Sequence, residues 1–304
     1  MHRANFAAMR RAFFLLHISI FLWGFTGVFA KAIDLTEGPL VWYRMFLTTA
    51  CWVLILIFTK KIYWPGWKNI SRIGIVGLLV ALHWLFFYGS IKYSNISIGM
   101  SCLPMIAVFS SILEPIITRQ SFRWYEMLLA LIALLGMFLI FQFAEVYRVG
   151  IVLGLISALL GSVFTILNKR LVTQFHSEII TTFEIGTGLV WLTLLMPVYL
   201  WIFPTDKILP DGHDWLLLLV FTVVCTVIPF NLSMKALKDV SAFAANLSLN
   251  LEPVYGIILA FLLYHENKTL SSSFFIGFGL ILLAVFLQML RLVKQHRRLP
   301  VNPL

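Results

Sequence analysis

The sequence predicts an all-α integral membrane protein in which ten transmembrane helices form two inverted five-helix repeats, with both termini in the cytoplasm. Three observations support this prediction: the apolar composition, the spacing of the apolar stretches and the side on which basic residues fall. Of the 304 residues, 61% are hydrophobic and 12% are charged, and the mean hydropathy is +0.94. Soluble domains contain about 25% charged residues, so the composition excludes a soluble enzyme, a disordered tail protein and a disulfide scaffold.

Ten apolar stretches follow one another along the chain, each close to the ~20 residues that a helix needs to cross the hydrocarbon layer. They are bounded by charges, by Pro or Gly, or by aromatic pairs such as Trp42-Tyr43, which favour the headgroup level. The first stretch follows Arg10-Arg11 without a small-residue cleavage site, which indicates a retained helix and not a signal peptide. The stretches are 12–30, 39–59, 73–91, 97–118, 124–143, 149–168, 178–203, 214–234, 242–264 and 273–292.

Basic residues predict the orientation of these spans. With the N-terminus inside, 17 Lys and Arg residues fall on the cytoplasmic side, 5 fall on the opposite side, and Arg44 lies within a span. Cytoplasmic loops of membrane proteins carry such an excess. The net charge of +10 therefore reflects topology, and no nucleic-acid partner is expected. The three cysteines lie in apolar stretches without metal-ligand spacing, so we expect no metal site, and nothing indicates a cofactor.

The two halves, residues 1–147 and 148–304, resemble each other weakly. Trp23-Gly24 aligns with Leu160-Gly161, Tyr43-Arg44 with Phe183-Glu184, and Pro104 with Pro253. A competing register aligns Leu113-Glu114-Pro115 with Leu251-Glu252-Pro253; it ranks lower because it puts Glu114 near a helix end and Glu252 near a helix middle. Five spans per repeat is an odd number, so the halves insert with opposite topology, an arrangement that places a binding site near the midplane.

The chain resembles the ten-helix EamA branch of the drug/metabolite transporter superfamily. The resemblance rests on Trp23-Gly24, on the stretch from Ser241-Ala242 through Asn250-Leu251-Glu252-Pro253-Val254, on His265-Glu266, and on Gly277 and Gly279. It covers essentially the whole chain and implies a transporter of amino acids, other metabolites or drugs. Where the family often has Gly-Glu after its fourth helix, this chain has Arg119-Gln120, so the halves do not carry equivalent acidic residues there.

Glu252 is the candidate coupling residue. It lies about ten residues into the ninth predicted span, about 14–15 Å deep at 1.5 Å per residue. Ionisable side chains at such depth usually face the bundle interior or a water-filled cavity. Glu252 either couples proton movement to substrate movement or caps helix-end donors around Pro253.

Arg44 is the candidate anchor for a substrate carboxylate, and pairing with Asp34 or Glu37 in the adjacent loop is the favoured alternative. Glu184 occupies the equivalent position of the second repeat. The two begin from opposite membrane faces and lie roughly 15 Å apart in depth, which excludes a direct ion pair. Glu184 is expected to meet Lys169 or Arg170 at the inner face.

Further polar and aromatic side chains at membrane depth are candidate substrate-binding residues. Each has a simpler interpretation, an interhelical hydrogen bond or ordinary packing, but together they predict a polar central cavity with an aromatic floor. On helical spacing, Asn246 and Asn250 share one stripe of the ninth span and Ser248 and Glu252 share another. The candidates are His83, Trp84, Tyr88, Asn168, Asn231, Asn246 and Asn250.

These features predict a secondary active transporter of small metabolites, amino acids or related compounds and possibly drugs, that works by alternating access with proton coupling or exchange. No ATP-binding P-loop occurs. The alternatives are an intramembrane enzyme acting on lipid or peptide, for which no catalytic motif is present, and a passive channel. Membrane lipid and a small-molecule substrate are the expected partners, the protein is expected to be a monomer or homodimer, and the compact layout suggests a bacterial inner (plasma) membrane.

Overall fold

The computed structural model of the protein is helical throughout its described part, which comprises residues 2–60, 63–119, 121, 124–143, 145–171, 174–236 and 248–298. Within that part the α-helices are numbered α1 to α13 in chain order. They are α1 His2–Gly24, α2 Thr26–Ala32, α3 Glu37–Phe58, α4 Trp67–Lys92, α5 Ile96–Cys102, α6 Met105–Thr118, α7 Trp124–Phe143, α8 Arg148–Leu171, α9 Ser177–Ile202, α10 Gly212–Thr222, α11 Ile228–Ala236, α12 Glu252–Tyr264 and α13 Ser272–Arg298.

Eight helical segments among the described residues are long and apolar enough to cross a membrane, which makes this a multi-pass integral membrane protein. Two further apolar segments, Glu252–Tyr264 and the first part of α13, Ser272–Leu287, are shorter. The ninth predicted span begins at residue 242, and residues 237–247 lie outside the described part. The spans are Arg11–Ala32, Glu37–Phe58, Trp67–Lys92, Ile96–Thr118, Trp124–Gln142, Glu145–Asn168, Glu178–Ile202 and Gly212–Ser233.

Three of these spans contain an interruption of the regular α-helix. The first breaks at Phe25, between α1 and α2, and the fourth breaks at Leu103 and Pro104, between α5 and α6. The eighth passes through a π-helical turn, Val223–Val227, between α10 and α11. Pro229 follows this turn, and a proline both lacks an N–H and clashes with the carbonyl four residues earlier, here that of Cys225. The sequence thus favours a wider helical turn at this point.

Helix α4 lies at the centre of the bundle, packed against both α8 and α9. Small residues permit its close approach to α8, because Gly150 abuts the carbonyl of Ser90 and Gly154 abuts the Ser90 hydroxyl, while Cys102 of α5 also lies against Gly154. The sixth predicted span carries these glycines as one stripe, which is the pattern that lets membrane helices approach closely. Helix α7 packs mainly against α13, where the backbones of Gly136 and Gly277 meet.

Segments from all parts of the chain meet at one end of the bundle, the predicted outer end. Lys31 contacts Glu266, Asp34 contacts Lys207, and Lys92 donates a hydrogen bond to the carbonyl of Ile33. The contacts place the segments after α2, α4, α9 and α12 together. These contacts agree with a chain that crosses from one face of the bundle to the other at each successive span. The number of ten spans and the orientation in the membrane stay predictions.

Adding a side chain to Gly277 is expected to destabilise the protein, because a Cβ there would meet the backbone carbonyl of Gly136. Overpacking of this kind costs about 1–3 kcal/mol. Gly279 lies two residues further along the same helix, and no atom lies within 4 Å of a Cβ added there, so it is a matched control. We expect Gly277→Val to lower the Tm of the detergent-solubilised protein and Gly279→Val to leave it nearly unchanged. Equal Tm values for both variants would contradict the tight α7–α13 crossing.

Candidate functional site

Arg44 lies in α3 and is buried, with a relative exposure of 4%. Two aromatic rings cover its guanidinium carbon, which lies 4.1 Å from the ring centroid of Trp84 and 4.2 Å from that of Phe221. The ring centroid of Tyr88 lies 5.5 Å from the same carbon. Each distance falls within the ~6 Å range of a cation–π interaction. The positive charge is therefore held inside the bundle mainly by aromatic side chains from α4 and α10.

The π-helical turn supplies a polar contact to this cation. Arg44 Nη2 donates a hydrogen bond to Thr226 Oγ1, at 3.0 Å, and Thr226 belongs to the Val223–Val227 turn. π-turns inside α-helices often occur at functional sites. Pro229 thereby bears on the site, since it favours the turn that presents Thr226 to Arg44.

Two donors in this cluster are buried without a hydrogen-bond partner among the described residues, Arg44 Nε and the Tyr88 hydroxyl. Leaving such a group unpaired costs about 1–3 kcal/mol. Tyr88 is fully buried, so neither donor has ready access to bulk solvent. The cluster can therefore accept an additional oxygen ligand, and a guanidinium is well suited to a carboxylate because its N–H groups match the two carboxylate oxygens.

Glu252 is the acid that acts electrostatically on Arg44. It is the first residue of α12 and remains partly exposed, and the described residues include no ion pair within 4.0 Å of it and no hydrogen bond to its carboxylate. A negative charge is favoured in the first turn of a helix, where backbone N–H groups are free. The arrangement places a cation and an acid near each other without joining them directly.

The structure corrects the expectation of one continuous ninth helix. A turn at Asn250 and Leu251 precedes α12, so Ser248 and Glu252 do not share one uninterrupted helical stripe, whereas the predicted stripe of Asn246 and Asn250 includes a residue outside the described part. Pro253 explains the boundary, because proline is well tolerated in the first turn of a helix. Asn246 lies outside the described residues. Asn250 is partly buried in the turn.

The expected pairing of Arg44 with the adjacent loop is wrong. Asp34 binds Lys207 through its carboxylate, at 3.1 Å, and Glu37 accepts a hydrogen bond from the Tyr199 hydroxyl at 2.7 Å. Both acids therefore have other partners, and Arg44 points to the aromatic cluster. The prediction that Arg44 and Glu184 do not pair agrees with their separate surroundings.

His83, Asn168 and Asn231 lie away from the Arg44 cluster or serve other contacts. His83 Nδ1 lies 2.8 Å from the carbonyl oxygen of Ser157 in α8 and 2.9 Å from its hydroxyl, an interhelical bond. Asn168 in α8 donates to Glu184 in α9 at 3.1 Å. Asn231 is exposed on α11. Of the sequence candidates, the structure thus brings together Arg44, Trp84 and Tyr88, with Glu252 in electrostatic reach.

Two contributors to the cluster have no counterpart among the sequence candidates: Phe221 and Thr226. They come from the eighth span, where an apolar sequence gives little indication of which face is buried. The one available signal was Pro229, four residues after Cys225, which predicts a distorted helix at that depth.

At the predicted outer end, Glu266 organises two segments that are distant in sequence. It is buried, binds Lys31 at 2.8 Å, and accepts hydrogen bonds from the backbone N–H groups of Ile96 and Ser97 at 3.1 and 2.8 Å. Its carboxylate therefore caps the N-terminus of α5, where free N–H groups favour an acid. The His265-Glu266 pair seen in the sequence has a structural role here.

Lys207 joins three acids at the same end of the bundle. It contacts Asp214 at 2.7 Å, Asp211 at 2.9 Å and Asp34 at 3.1 Å. These carboxylates, Asp214 foremost, raise the pKa of Lys207. The backbone N–H of Asp214 and then Lys207 lower the pKa of Asp211.

A cavity of about 370 Å³ opens beside this network. Its lining comes from the segment after α2, the end of α4 and the segment after α9, and it includes both acidic and basic side chains. No residue of the Arg44 cluster lines it. The lining residues are Asp34, Leu35, Thr36, Glu37, Lys92, Tyr93, Thr205 and Lys207.

Comparison with known proteins identifies the family. The profile of the EamA-like transporter family matches residues 10–142 and, a second time, residues 148–290. The chain belongs to the EamA-like transporter family. Each match covers one half of this EamA-like chain, and the family together with the transporter-named relatives makes it a transporter and not an enzyme.

The relatives that the chain resembles are named as transporters. An uncharacterized transporter of Archaeoglobus fulgidus is 23% identical over 280 residues, which is 90% of this chain and 96% of the relative. The uncharacterized transporter YdfC of Bacillus subtilis is 25% identical and covers 84% of each chain. A crystal structure at 17% identity superposes with a TM-score of 0.61 over 95% of this chain and 99% of that one, which shows a shared EamA-like fold.

Replacing Glu266 is expected to destabilise the protein more than replacing an exposed acid. Glu266→Gln removes the charge that binds Lys31 and weakens the cap on α5; we expect a loss of about 1–3 kcal/mol, a modest value because the Lys31 side chain is 36% exposed. Glu145→Gln is the control, since Glu145 pairs with Arg148 at the surface. Thermal unfolding in detergent measures both. A Glu145→Gln variant as unstable as Glu266→Gln would contradict the assigned role.

Proposed function

We propose that this EamA-like protein is a secondary active transporter that moves small carboxylate-bearing metabolites, amino acids first among them, by alternating access. The observation that carries the proposal is the buried Arg44 guanidinium, which has no carboxylate ion-paired to it in the described part of the chain. A buried cation of this kind is costly unless it is paired. A substrate carboxylate would supply the missing partner.

The packing of the helices supports an inverted repeat. The third span packs against the sixth as α4 on α8, and the eighth packs against the first as α11 on α1. The fifth and tenth spans pack against each other as α7 on α13. An exchange of the two halves swaps these two spans and therefore leaves this contact unchanged. Two separate family matches, one in each half, point the same way. We therefore propose units 1–147 and 148–304, each with five spans.

The prolines of the preferred alignment support the same repeat. Pro104 immediately precedes α6, and Pro253 lies in the first turn of α12, so each begins a helix after a turn in its span. Pro115, the partner in the competing alignment, lies inside α6. The local backbone thus favours the register that pairs Pro104 with Pro253.

The combination of Arg44 and Glu252 favours a dipolar substrate. Arg44 Nε and the Tyr88 hydroxyl would bind the carboxylate of an amino acid, while the partly exposed Glu252 carboxylate would face its ammonium group. Trp84 and Phe221 contribute apolar surface beside the cation. Glu252 also remains the proposed coupling residue, taking up and releasing a proton during transport. His83, Asn168, Asn231, Asn246 and Asn250 are weaker candidates for substrate contact.

Loss of the guanidinium is expected to weaken the recognition of carboxylates. Arg44→Gln should weaken apparent substrate affinity about 10- to 100-fold, since hydrogen bonds to charged groups contribute about 1.5–3 kcal/mol. Arg44→Lys should recover only part of the loss, because an ammonium cannot bind both oxygens in one plane. Uptake of a pooled metabolite mixture into proteoliposomes, read by mass spectrometry, measures this. Ile57→Ala, exposed on the same helix, is the control. Unchanged uptake of acids by Arg44→Gln would overturn the assignment.

Glu252→Gln is expected to uncouple transport from a pH gradient. Gradient-driven accumulation should fall to the equilibrium level, while exchange of labelled for unlabelled substrate continues, because the amide cannot carry the proton. Glu114→Gln is the control, since Glu114 also precedes a proline. Gradient-dependent accumulation by Glu252→Gln equal to that of the unaltered protein would exclude the coupling role. Equilibration without any gradient dependence in the unaltered protein would favour a passive channel or facilitator.

The location and the transporting unit complete the proposal. We propose a bacterial inner membrane as the location and a monomer or homodimer as the transporting unit. Both agree with a chain whose described helices carry apolar surface outward, such as Leu194 and Trp201 on α9.

A further inference from the structure

We propose that Glu184 and Asn168 form a second proton-binding site, separate from the Arg44 cluster. The side chain of Glu184 is buried, with 7% relative exposure, in α9. It lies seven residues after the first residue of the helix, Ser177, and therefore about 10 Å from that end. Its described hydrogen-bond partner is one side chain, since Asn168 Nδ2 donates to Glu184 Oε1 at 3.1 Å.

The described surroundings of Glu184 supply no compensating positive charge. Helix α9 packs against α3 and α4, and Asn168 brings in α8. On α4, Lys68 and Arg72 are exposed and His83 is bonded to Ser157. On α3, Arg44 belongs to the aromatic cluster and Cys51 is uncharged. On α8 the side chains of Lys169 and Arg170 lie outside the described part, and on α9 Glu178 is the neighbouring acid.

None of these groups forms an ion pair with Glu184 in the described part of the chain. The side chains of Lys169 and Arg170, the expected partners, lie outside the described part, and the described partner is the neutral amide of Asn168. A buried carboxylate without a cation carries a penalty of several kcal/mol, and proteins commonly avoid it by neutralising the group. The described surroundings therefore favour either a bound proton or a bound metal cation at Glu184.

The oxygen atoms available favour a proton. Hard metal cations take about six oxygen ligands, whereas the site offers the Glu184 carboxylate and Asn168 Oδ1. The Thr187 hydroxyl donates to the backbone carbonyls of Phe183 and Glu184 at 2.6 and 3.1 Å, and even its oxygen would leave the site short of six ligands. The two-residue site is too poor in ligands for a metal ion and sufficient for one proton.

Asn168 allows the pair to exist in two states. Its Oδ1 atom is buried without a hydrogen-bond partner in the arrangement where Nδ2 donates to the carboxylate. An amide side chain can be reversed, since it presents a donor on one side and an acceptor on the other. When Glu184 takes a proton from water, the new O–H donates to Asn168 Oδ1; when the proton returns to water, Nδ2 again donates to the carboxylate. One proton is bound and released, and no other bond changes.

Infrared spectroscopy of the purified full-length protein tests this site without reference to any substrate. Protein carrying ¹³C-carboxyl glutamate gives a C=O stretching band for protonated Glu that is separated from Asp. At neutral pH we expect this band in the unaltered protein, its loss in Glu184→Gln, and its persistence in Glu178→Gln. Asn168→Leu should shift the band, because the hydrogen bond to the amide is gone, and it serves where Glu184→Gln fails to fold. Absence of a protonated Glu band at neutral pH, or a band unchanged in both variants, overturns the proposal.

The role of this site in transport rests on the proposed function and has its own measurement. In proteoliposomes, Glu184→Gln is expected to remove the pH dependence of substrate exchange while binding of substrate at the Arg44 cluster stays within about twofold. If the infrared band is present but the pH dependence of exchange is unaltered in Glu184→Gln, the proton site is supported and its use in transport is rejected. Failure of all transport in the unaltered protein would affect the proposed function alone, because the infrared result does not depend on it.

Discussion

The interaction on which the centre of this protein depends is the enclosure of the Arg44 guanidinium by aromatic rings. A charge within a bundle of apolar helices must be stabilised by groups that stay in place, since water and counter-ions are scarce there. Trp84 and Phe221 do this from two different helices, α4 and α10, at nearly equal distances of 4.1 and 4.2 Å. The cation thus ties the second, third and eighth spans together, and any shift of one of these helices changes how well the charge is covered.

Irregular backbone places the polar groups around this cation. The π-turn at Val223–Val227 presents Thr226 to Arg44, and the break before Pro253 puts Glu252 at a helix start where free N–H groups favour an acid. Both irregularities follow from proline. In a membrane, non-helical backbone is tolerated where protein or a cavity covers it, so these interruptions occur at the interior, next to the charged residues.

Sequence reasoning recovered the membrane class, the positions of eight spans and the family, because apolar length and basic-residue bias are properties of whole segments. It also singled out Arg44, Trp84 and Tyr88, whose residue types are informative at membrane depth. Sequence reasoning did not predict which residues Arg44, Asp34 and Glu37 contact. Arg44 was expected to meet a loop acid, yet Asp34 and Glu37 bind Lys207 and Tyr199, residues more than 160 positions away. Phe221 and Thr226 were missed because only the three-dimensional packing distinguishes them from their apolar neighbours.

The bond between Lys31 and Glu266 has a consequence for how the protein is made. Glu266 follows Lys31 by 235 residues, and its carboxylate joins Lys31 of α2 to the N-terminus of α5. The ribosome must therefore synthesise most of the chain before this carboxylate exists. Early spans therefore enter the bilayer before the connections at that end of the bundle are joined to one another. Assembly of that end is a late event, completed when the last hairpin of the chain arrives and fastens segments that were inserted long before it.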